Sequence, residues 1–402
     1  MTGIAEGSQG RETILDFELP EEIQLIKRTV GEFIDREVIP LEREYRPEGE
    51  EMPDPILKPL QEKAKALGFW HLDVPKEYGG AGLDLLTRCA ITEEMSRTVA
   101  IPFRNNELFG PSVRPVLFHC NEEQKERFLF PVLRGEMRVC FAQTEPDAGS
   151  DPASMRTRAV PDGDHFIVNG TKRFITGAGR ADFAQLVAVT DPEKRARGGI
   201  TCFMVDMKSP GVILDRQWPT MMGDAPWQIV FDNVRVPAAN IIGNIGEGFA
   251  LGQNWIQEGR IKGHGARPLG IAQRALDMMI DYAHNRVTFG QPLSERQAVQ
   301  FMVADSAMEL HAARLLVYEC AWRSDRGEDV RNLSYMVKVT CTEMASRVVD
   351  RAIQVHGGVG LTKDLPLEWW YRQLRSIRIT EGATEVLRWR LAQNLMKRRR
   401  QR

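Results

Sequence analysis

The hydrophobic pattern of this chain changes period twice, and that change constrains the fold more than any single motif. From about Leu19 to Arg138 apolar residues recur at helical spacing; "LPEEIQLIKRTVGEFIDREVIP" opens on a proline, carries acid in its first turn and repeats Ile23, Ile26, Val30, Phe33 and Ile34. "DPILKPLQEKAKALG" and "NEEQKERFLFPVLRG" predict two further helices closed by glycine, and "PKEYGGAG" a loop. From about Val139 to Gly243 the pattern becomes that of strands: "HFIVNGTKRFIT", "FAQLVAVT", "GITCFMVD", "GVILD" and "WQIVFDNVRVP". Asn169-Gly170 between two β-rich runs predicts a hairpin turn. From about Gly246 the helical period returns. Leu269, Ala272, Leu276, Met279 and Ala283 mark one helix. Phe301, Ala304, Met308, Ala312 and Leu315 mark a second, and Val337, Cys341, Met344, Val348, Ala352 and Val355 a third.

No strand–helix–strand alternation occurs, so a parallel dinucleotide-binding sheet is not expected. The reading is α+β and multidomain. An N-terminal α-helical domain spans 1–138, a central antiparallel β-barrel or sandwich 139–245, and a C-terminal bundle of long helices 246–402. No linker separates them, so the three should pack as one unit.

The 402 residues carry a formal charge of −2, which gives no polyanion signal. The terminal run Lys397-Arg398-Arg399-Arg400 with Arg402 reads as a solvated tail. Six scattered cysteines without a CxxC pair argue against a zinc site or disulfide framework and read as small core residues. No apolar run approaches the roughly 18 residues of a membrane span. The first twenty residues are too acidic for a signal or transit peptide, so a cytoplasmic protein is expected. HExxH, EF-hand and Walker A patterns are absent, and no metal is expected. Gly177-x-Gly179 does not open a helix after a parallel strand and is no Rossmann fingerprint.

Three strings remain. "FAQTEPDAGSD" at 141–151 concentrates Thr144, Glu145, Ser150 and Asp151 where helix gives way to sheet. It reads either as a capped turn or as a set of donors gripping an anionic or heteroaromatic ligand. "HGGVG" at 356–360 reads as a helix stop, or as backbone cleared for a ligand. "RITEGATEVLR" at 378–388 poses a choice for Glu381. A carboxylate complementing a helix start stays a weak base near 4.3. A base buried beside a substrate is raised towards roughly 6–7.

Together these strings resemble one family over nearly the whole chain, the acyl-CoA dehydrogenases. "CFAQTEPDAGSD", "GTKRFITGA", "RVTFGQPLSERQ", "QVHGGVG" and "EGATEVLR" are similar to five family signatures and occur in the family's order. The resemblance implies an FAD enzyme that oxidises an acyl-CoA thioester to the trans-2-enoyl-CoA. Glu381 would take the α-proton, flavin N5 the β-hydride, and an electron-transfer flavoprotein the electrons. It places Phe141, Gln143, Thr144, Phe174 and Thr176 along the flavin, and Ser150 near both cofactor and thioester. Arg286, Phe289, Gln297, Gln354, Gly357 and Gly358 match positions that hold the adenosine diphosphate half across a subunit interface, so homodimers paired into homotetramers are implied. Arg260 matches an arginine near the CoA chain, although its spacing to "LGIAQRALD" is one residue long. Gly382 would clear space for the substrate.

Departures from the pattern are also visible. A common family version reads Glu-Gly-Thr-Ser-Gln where this chain has Glu381-Gly382-Ala383-Thr384-Glu385. A flavin contact would be lost at Ala383 and compensated by Thr384 or Glu385. A minority of the family carries its glutamate just before the Arg260-type arginine, where this chain has Gly259, with Glu258 one further back. Arg104 and Glu107 in "IPFRNNELFG" read as helix-surface charges, or as recognition of a polar or carboxylated acyl tail. The alternatives are an oxygen-using enzyme of the same fold, acyl-CoA oxidase or flavin monooxygenase, and a non-catalytic flavin- or CoA-binding scaffold. Retention of Glu381 disfavours both the monooxygenase and the scaffold.

Overall fold

A computed structural model of the protein describes residues 17–45, 51–104 and 106–400. The expectation for the first sixteen residues, and that for the side chains of the basic tail from 398 onward, fall outside the described residues.

The helix–sheet–helix order is borne out. Helix α1 (Glu21–Phe33) starts after Pro20 with Glu21 and Glu22 in its first turn, and it buries Ile23, Val30 and Phe33. Helix α2 (Asp54–Ala66) ends at Gly68, which takes the positive φ of +80° that glycine adopts without strain. Helix α3 (Leu85–Met95), capped by Asp84, has no exposed residue and lacks an amphipathic stripe, so periodicity did not reveal it. The "NEEQKERFLFPVLRG" segment breaks into α4 (Glu122–Gln124), a π-turn over Lys125–Leu129 and α5 (Phe130–Leu133). Pro131 has no N–H to continue the regular ladder there.

Eight strands follow: β1 (Val139–Ala142), β2 (Arg158–Asp162), β3 (His165–Ile175), β4 (Phe183–Val189), β5 (Ile200–Asp206), β6 (Val212–Gln217), β7 (Trp227–Pro237) and β8 (Ile241–Ile242). They form one sheet in the order β6-β7-β3-β2-β4-β5-β8, with β1 also on β4. The pairing is antiparallel except that β1 and one residue of β2 run parallel to β4, so the sheet is mixed rather than purely antiparallel.

The hairpin expected at Asn169-Gly170 is corrected: β3 runs straight through both residues, and the β2–β3 turn lies at Gly163-Asp164. Asn169 instead serves a bulge on β7. Its Oδ1 accepts the N–H of Asn233 at 2.9 Å, and Asn233 holds a φ of +52°. Gly170 is required by close approach, since a Cβ there would fall 2.6 Å from the Cα of Thr157. A second register shift, between Lys172 and Ile175, gives Phe174 a φ of +61° and re-aims its side chain.

The C-terminal bundle comprises α6 (Gly248–Ile261), α7 (Arg267–Asn285), the short ribbon β9 (Val287–Thr288) with β10 (Gln291–Pro292), then α8 (Gln297–Asp325), α9 (Arg331–His356), α10 (Leu367–Ile377) and α11 (Thr384–Arg400). The stripes expected on α7 and α9 are core. On α8 the stripe is not core. Phe301 and Met308 are 59% and 63% exposed, and the helix packs inward through Leu310, Ala313, Val317 and Cys320. The six cysteines are free and buried. No helix among the described residues is long and apolar enough to cross a membrane.

Candidate active site

A cavity of about 1430 Å³ runs between the sheet and the C-terminal bundle. It exceeds the roughly 300–1,000 Å³ of an ordinary small-molecule site, leaving room for a large cofactor beside a substrate. Phe141, Gln143, Thr144 and Ser150 line one wall, with Phe174 and Thr176 continuing it. Arg260, Glu381, Gly382 and Ala383 line the opposite part.

The first wall is held by a buried ion pair joining two of the quoted strings. Lys172 Nζ lies 2.8 Å from Glu145 Oε1, and both side chains are buried. The same carboxylate accepts the N–H groups of Arg156 at 2.6 Å and Thr157 at 2.9 Å. Lys172 also donates to the carbonyl of Gln143 at 3.0 Å, and the Arg173 N–H donates to the carbonyl of Thr144 at 2.8 Å. Burial lowers the Lys172 amine to about 8, with Glu145 opposing the fall. Glu145 is thus spent on folding the loop over β3, which leaves Gln143 and Thr144 facing the cavity. Gln143 Oε1 is buried without a partner among the described residues, an acceptor placed for a ligand's donor. Phe174 remains 51% exposed on the cavity wall, a flat apolar face suited to a planar ring system.

Opposite, the chain makes a turn that no helix start explains. Helix α11 begins at Thr384, so Glu381 precedes it by three residues. Glu381 holds a φ of +54° and Gly382 one of +101°. A non-glycine residue in that region costs about 1–3 kcal/mol and persists only where its surroundings over-determine it. Here three successive carbonyls are gripped by two cations. Arg260 Nε donates to the Glu381 carbonyl at 2.9 Å, while Lys338 Nζ donates to the carbonyls of Thr380 and Gly382. Lys338 is fully buried, and burial brings its amine down to about 7. Arg260 therefore supports the Glu381 backbone as well as lining the cavity.

The Glu381 carboxylate points across α6. Its Oε2 lies 3.2 Å from His264 Nδ1. It is a buried oxygen without a well-aligned hydrogen bond among the described residues. His264 sits in a π-turn, Lys262–Ala266, between α6 and α7. That turn takes up the extra residue between Arg260 and "LGIAQRALD", and such turns are frequent at functional sites. Sequence reasoning missed His264 and Lys338. An over-long spacing was the signal for the first, and a lysine on the apolar stripe of α9 was the signal for the second.

The direction of the Glu381 shift corrects the expectation of a raised carboxyl. Burial pushes the group up, but the His264 ring, then Lys338 and Arg260, pull harder, and the carboxyl falls to about 2. Glu258 is not a competing free carboxylate, because Arg88 NH1 lies 2.6 Å from its Oε1.

Other expected site residues lie elsewhere. Thr384 is buried and Glu385 exposed, and neither lines the cavity; two positions along a helix from Ala383, Glu385 is turned to the far side. Arg286, Phe289, Gln297, Gln354, Gly357 and Gly358 are also absent from its lining. They gather at one end of the bundle, where the stacked rings of Tyr282 and His356, 4.4 Å apart, join the ends of α7 and α9. Phe289 is 99% exposed there. Arg104 is no helix-surface charge, since it lines the cavity and its NH1 donates to Thr176 Oγ1 at 3.2 Å. Glu107 lies outside this cavity, and its carboxyl is raised by burial.

Comparison with known proteins matches three family models in succession. They are the acyl-CoA dehydrogenase N-terminal domain over residues 20–136, the middle domain over 140–234 and the C-terminal domain over 246–396. The chain is 38% identical over 383 residues to a 3-(aryl)acrylate reductase of Clostridium sporogenes, covering 94% of this chain and 99% of that one. It is 36% identical over 372 residues to the caffeyl-CoA reductase-Etf complex subunit CarC of Acetobacterium woodii, covering 91% and 96%. The butyryl-CoA dehydrogenase structure from Megasphaera elsdenii superposes with a TM-score of 0.82 at 30% identity, covering 95% and 100%. Family models end to end, relatives matched at full length and a shared fold lead to one conclusion: the chain belongs to the acyl-CoA dehydrogenase family, FAD-dependent oxidoreductases acting on the CH–CH bond of acyl-CoA thioesters.

Proposed function

We propose that the chain oxidises a saturated acyl-CoA to its trans-2-enoyl thioester, with Glu381 as the base that removes the α-proton. The observation that carries this reading is the Glu381 carboxylate itself, part-buried at the cavity wall with an enclosed Oε2 that has no aligned donor among the described residues. Bound FAD supplies the acceptor for the β-hydride. The residues present fit that cofactor: Gln143 offers an acceptor unpartnered among the described residues, Phe174 a half-exposed face, and Thr176 a hydroxyl on the same wall.

The rest of the work falls to the protein. The strained turn at Glu381-Gly382 holds the carboxylate over the cavity while Arg260 and Lys338 fix its carbonyls. Gly382 keeps the turn free of a side chain next to the substrate. A thioester seated against Glu381 displaces water and adds to the burial that already pushes the carboxyl upward, moving it towards the range of a useful base. Phe103, Trp255 and Ile256 supply apolar wall for the acyl chain.

Electrons pass in this reading to an electron-transfer flavoprotein, supported by the relative named as a subunit of an Etf complex. A second copy of the chain covers the exposed face of α8 and the bundle end bearing Arg286, Phe289, Gln297, Gln354, Gly357 and Gly358, in a homodimer or homotetramer. Support comes from the bare apolar stripe of Phe301 and Met308 and the fully exposed Phe289.

The test is anaerobic addition of saturated acyl-CoAs of graded length to the FAD-loaded protein. Bleaching of the flavin band is expected, and no bleaching with any thioester refutes the reading. Glu381→Gln should retain FAD and fail to bleach; normal bleaching would assign the base elsewhere.

A further inference from the structure

Three arginines meet on the cavity wall that faces Glu381, and their charges are poorly matched. Arg104 follows α3, Arg114 lies before the turn that precedes α4, and Arg267 opens α7; all three line the cavity. Arg104 has one acidic neighbour, Asp224, with Nε and Oδ2 3.3 Å apart. Arg267 donates to the Phe103 carbonyl at 2.6 Å and stacks over that ring at 4.4 Å, without an acidic partner among the described residues. Arg114 lies 5.5 Å from the Trp255 ring, and its Nε is buried with no hydrogen-bond partner among the described residues.

All three side chains are part-buried, and the acids that oppose them are Asp224 beside Arg104 and, more distantly, Glu381 towards Arg114 and Arg267. A part-buried cation without a direct partner is costly, so a wall carrying three of them calls for a further anion. We propose that the acyl chain of the substrate carries a second carboxylate, received by Arg104, Arg114 and Arg267. This rests on the acyl-CoA dehydrogenase reading above and names the substrate class for it.

The guanidinium fork matches a planar carboxylate in two-point contact, and Phe103 and Trp255 provide apolar surface for the carbons between. The CoA phosphates do not fit this position. They are held away from the thioester by the length of the pantetheine arm, whereas Arg114 and Arg267 are within electrostatic reach of Glu381. The same placement favours a short chain, with the second carboxylate a few carbons from the reacting pair. Burial lowers the guanidinium of Arg114, and it lowers that of Arg267 to about 10 with Arg104 adding to the effect, while Glu381 opposes the fall at both.

The test compares glutaryl-CoA with pentanoyl-CoA, and adipyl-CoA with hexanoyl-CoA, on the FAD-loaded protein by calorimetry and by anaerobic bleaching. In at least one pair the carboxylated thioester should bind about 30-fold more tightly, the scale of hydrogen bonds to a charged group. Arg114→Met and Arg267→Met should each weaken the carboxylated ligand about 10-fold more than the neutral one. Equal affinity within both pairs, or preference for the neutral member, overturns the proposal even if a variant fails to fold. Tighter binding of the carboxylated member without bleaching by any thioester would keep this site and remove the dehydrogenase reading. Bleaching by the neutral members alone would do the reverse, and binding of none would remove both.

Discussion

The Glu381 carboxylate lies directly over Gly259: a Cβ placed on Gly259 would stand 2.8 Å from Glu381 Oε2. Position 259 is where a minority of the family carries its glutamate. The two sequence positions, 122 residues apart, thus address the same point in the cavity, and only one can hold a side chain there. Gly259 lies inside α6, where glycine costs up to about 1 kcal/mol relative to alanine. Its presence is explained by the space that Glu381 needs.

Gly259→Ala is therefore expected to raise or preserve thermal stability while lowering kcat about 10–100-fold, because the carboxylate is pushed off its line to the α-carbon. FAD content should be unchanged. A variant with kcat within twofold of the parent would show that the carboxylate relaxes freely and that the contact has no catalytic consequence.

The pH dependence follows from the depressed Glu381 carboxyl. Its folded value of about 2 lies below the roughly 4.3 of an unfolded glutamate. The stability it contributes is fully present above about pH 5 and is lost as pH falls through the folded value towards 2. Wild type should therefore lose stability relative to Glu381→Gln across that window in acid-unfolding curves. The plot of kcat/KM, which reports the free enzyme, should show no acid limb from Glu381 above pH 5. A limb near pH 6.5 assigned to Glu381 by its absence in a variant retaining activity, such as Glu381→Asp, would contradict the electrostatics described.

The Glu145–Lys172 pair yields a stability prediction. Lys172→Met leaves the Glu145 carboxylate buried without its cation, which costs about 3–5 kcal/mol. The same change releases the Gln143 carbonyl and loosens the cavity wall. Denaturant unfolding should show that loss, and FAD should dissociate more readily than from wild type. Retention of full stability would mean that the three remaining backbone and side-chain contacts suffice to hold the loop.

How much of this was legible in the sequence depended on the range of the forces involved. The cores of α7 and α9 were readable because every third or fourth residue packs against the same neighbours, a local regularity. Asn169-Gly170 misled because the pair satisfies turn chemistry and bulge chemistry equally well; what decided between them was Asn233 across the sheet, 64 residues away. Glu381 was recognisable as a site residue, but the sign of its shift was not. His264 and Lys338 lie 117 and 43 residues before it and carry no shared motif. Helix α3 went unread because none of its residues is exposed and its polar residues Thr87, Arg88, Thr92, Glu93 and Glu94 are scattered among apolar ones, so no period stands out.

The stripe on α8 offers the last test. Phe301, Ala304, Met308 and Ala312 keep a helical apolar period, yet they face away from this chain's core. An apolar stripe maintained over three turns of helix and left bare is most simply accounted for by a partner surface, and the bundle end carrying Arg286 and Phe289 adjoins the start of the same helix. Phe301→Asp with Met308→Asp places two charges on that face without touching the buried side of α8. Sedimentation should give a dimer or tetramer for the parent and a smaller species for the variant at equal concentration. The variant should also retain less FAD, since the adenosine diphosphate half is proposed to rest on residues from across the interface. A variant with the parent's mass and full FAD content would place the subunit contact on another face and leave Arg286 and Phe289 without the role assigned to them.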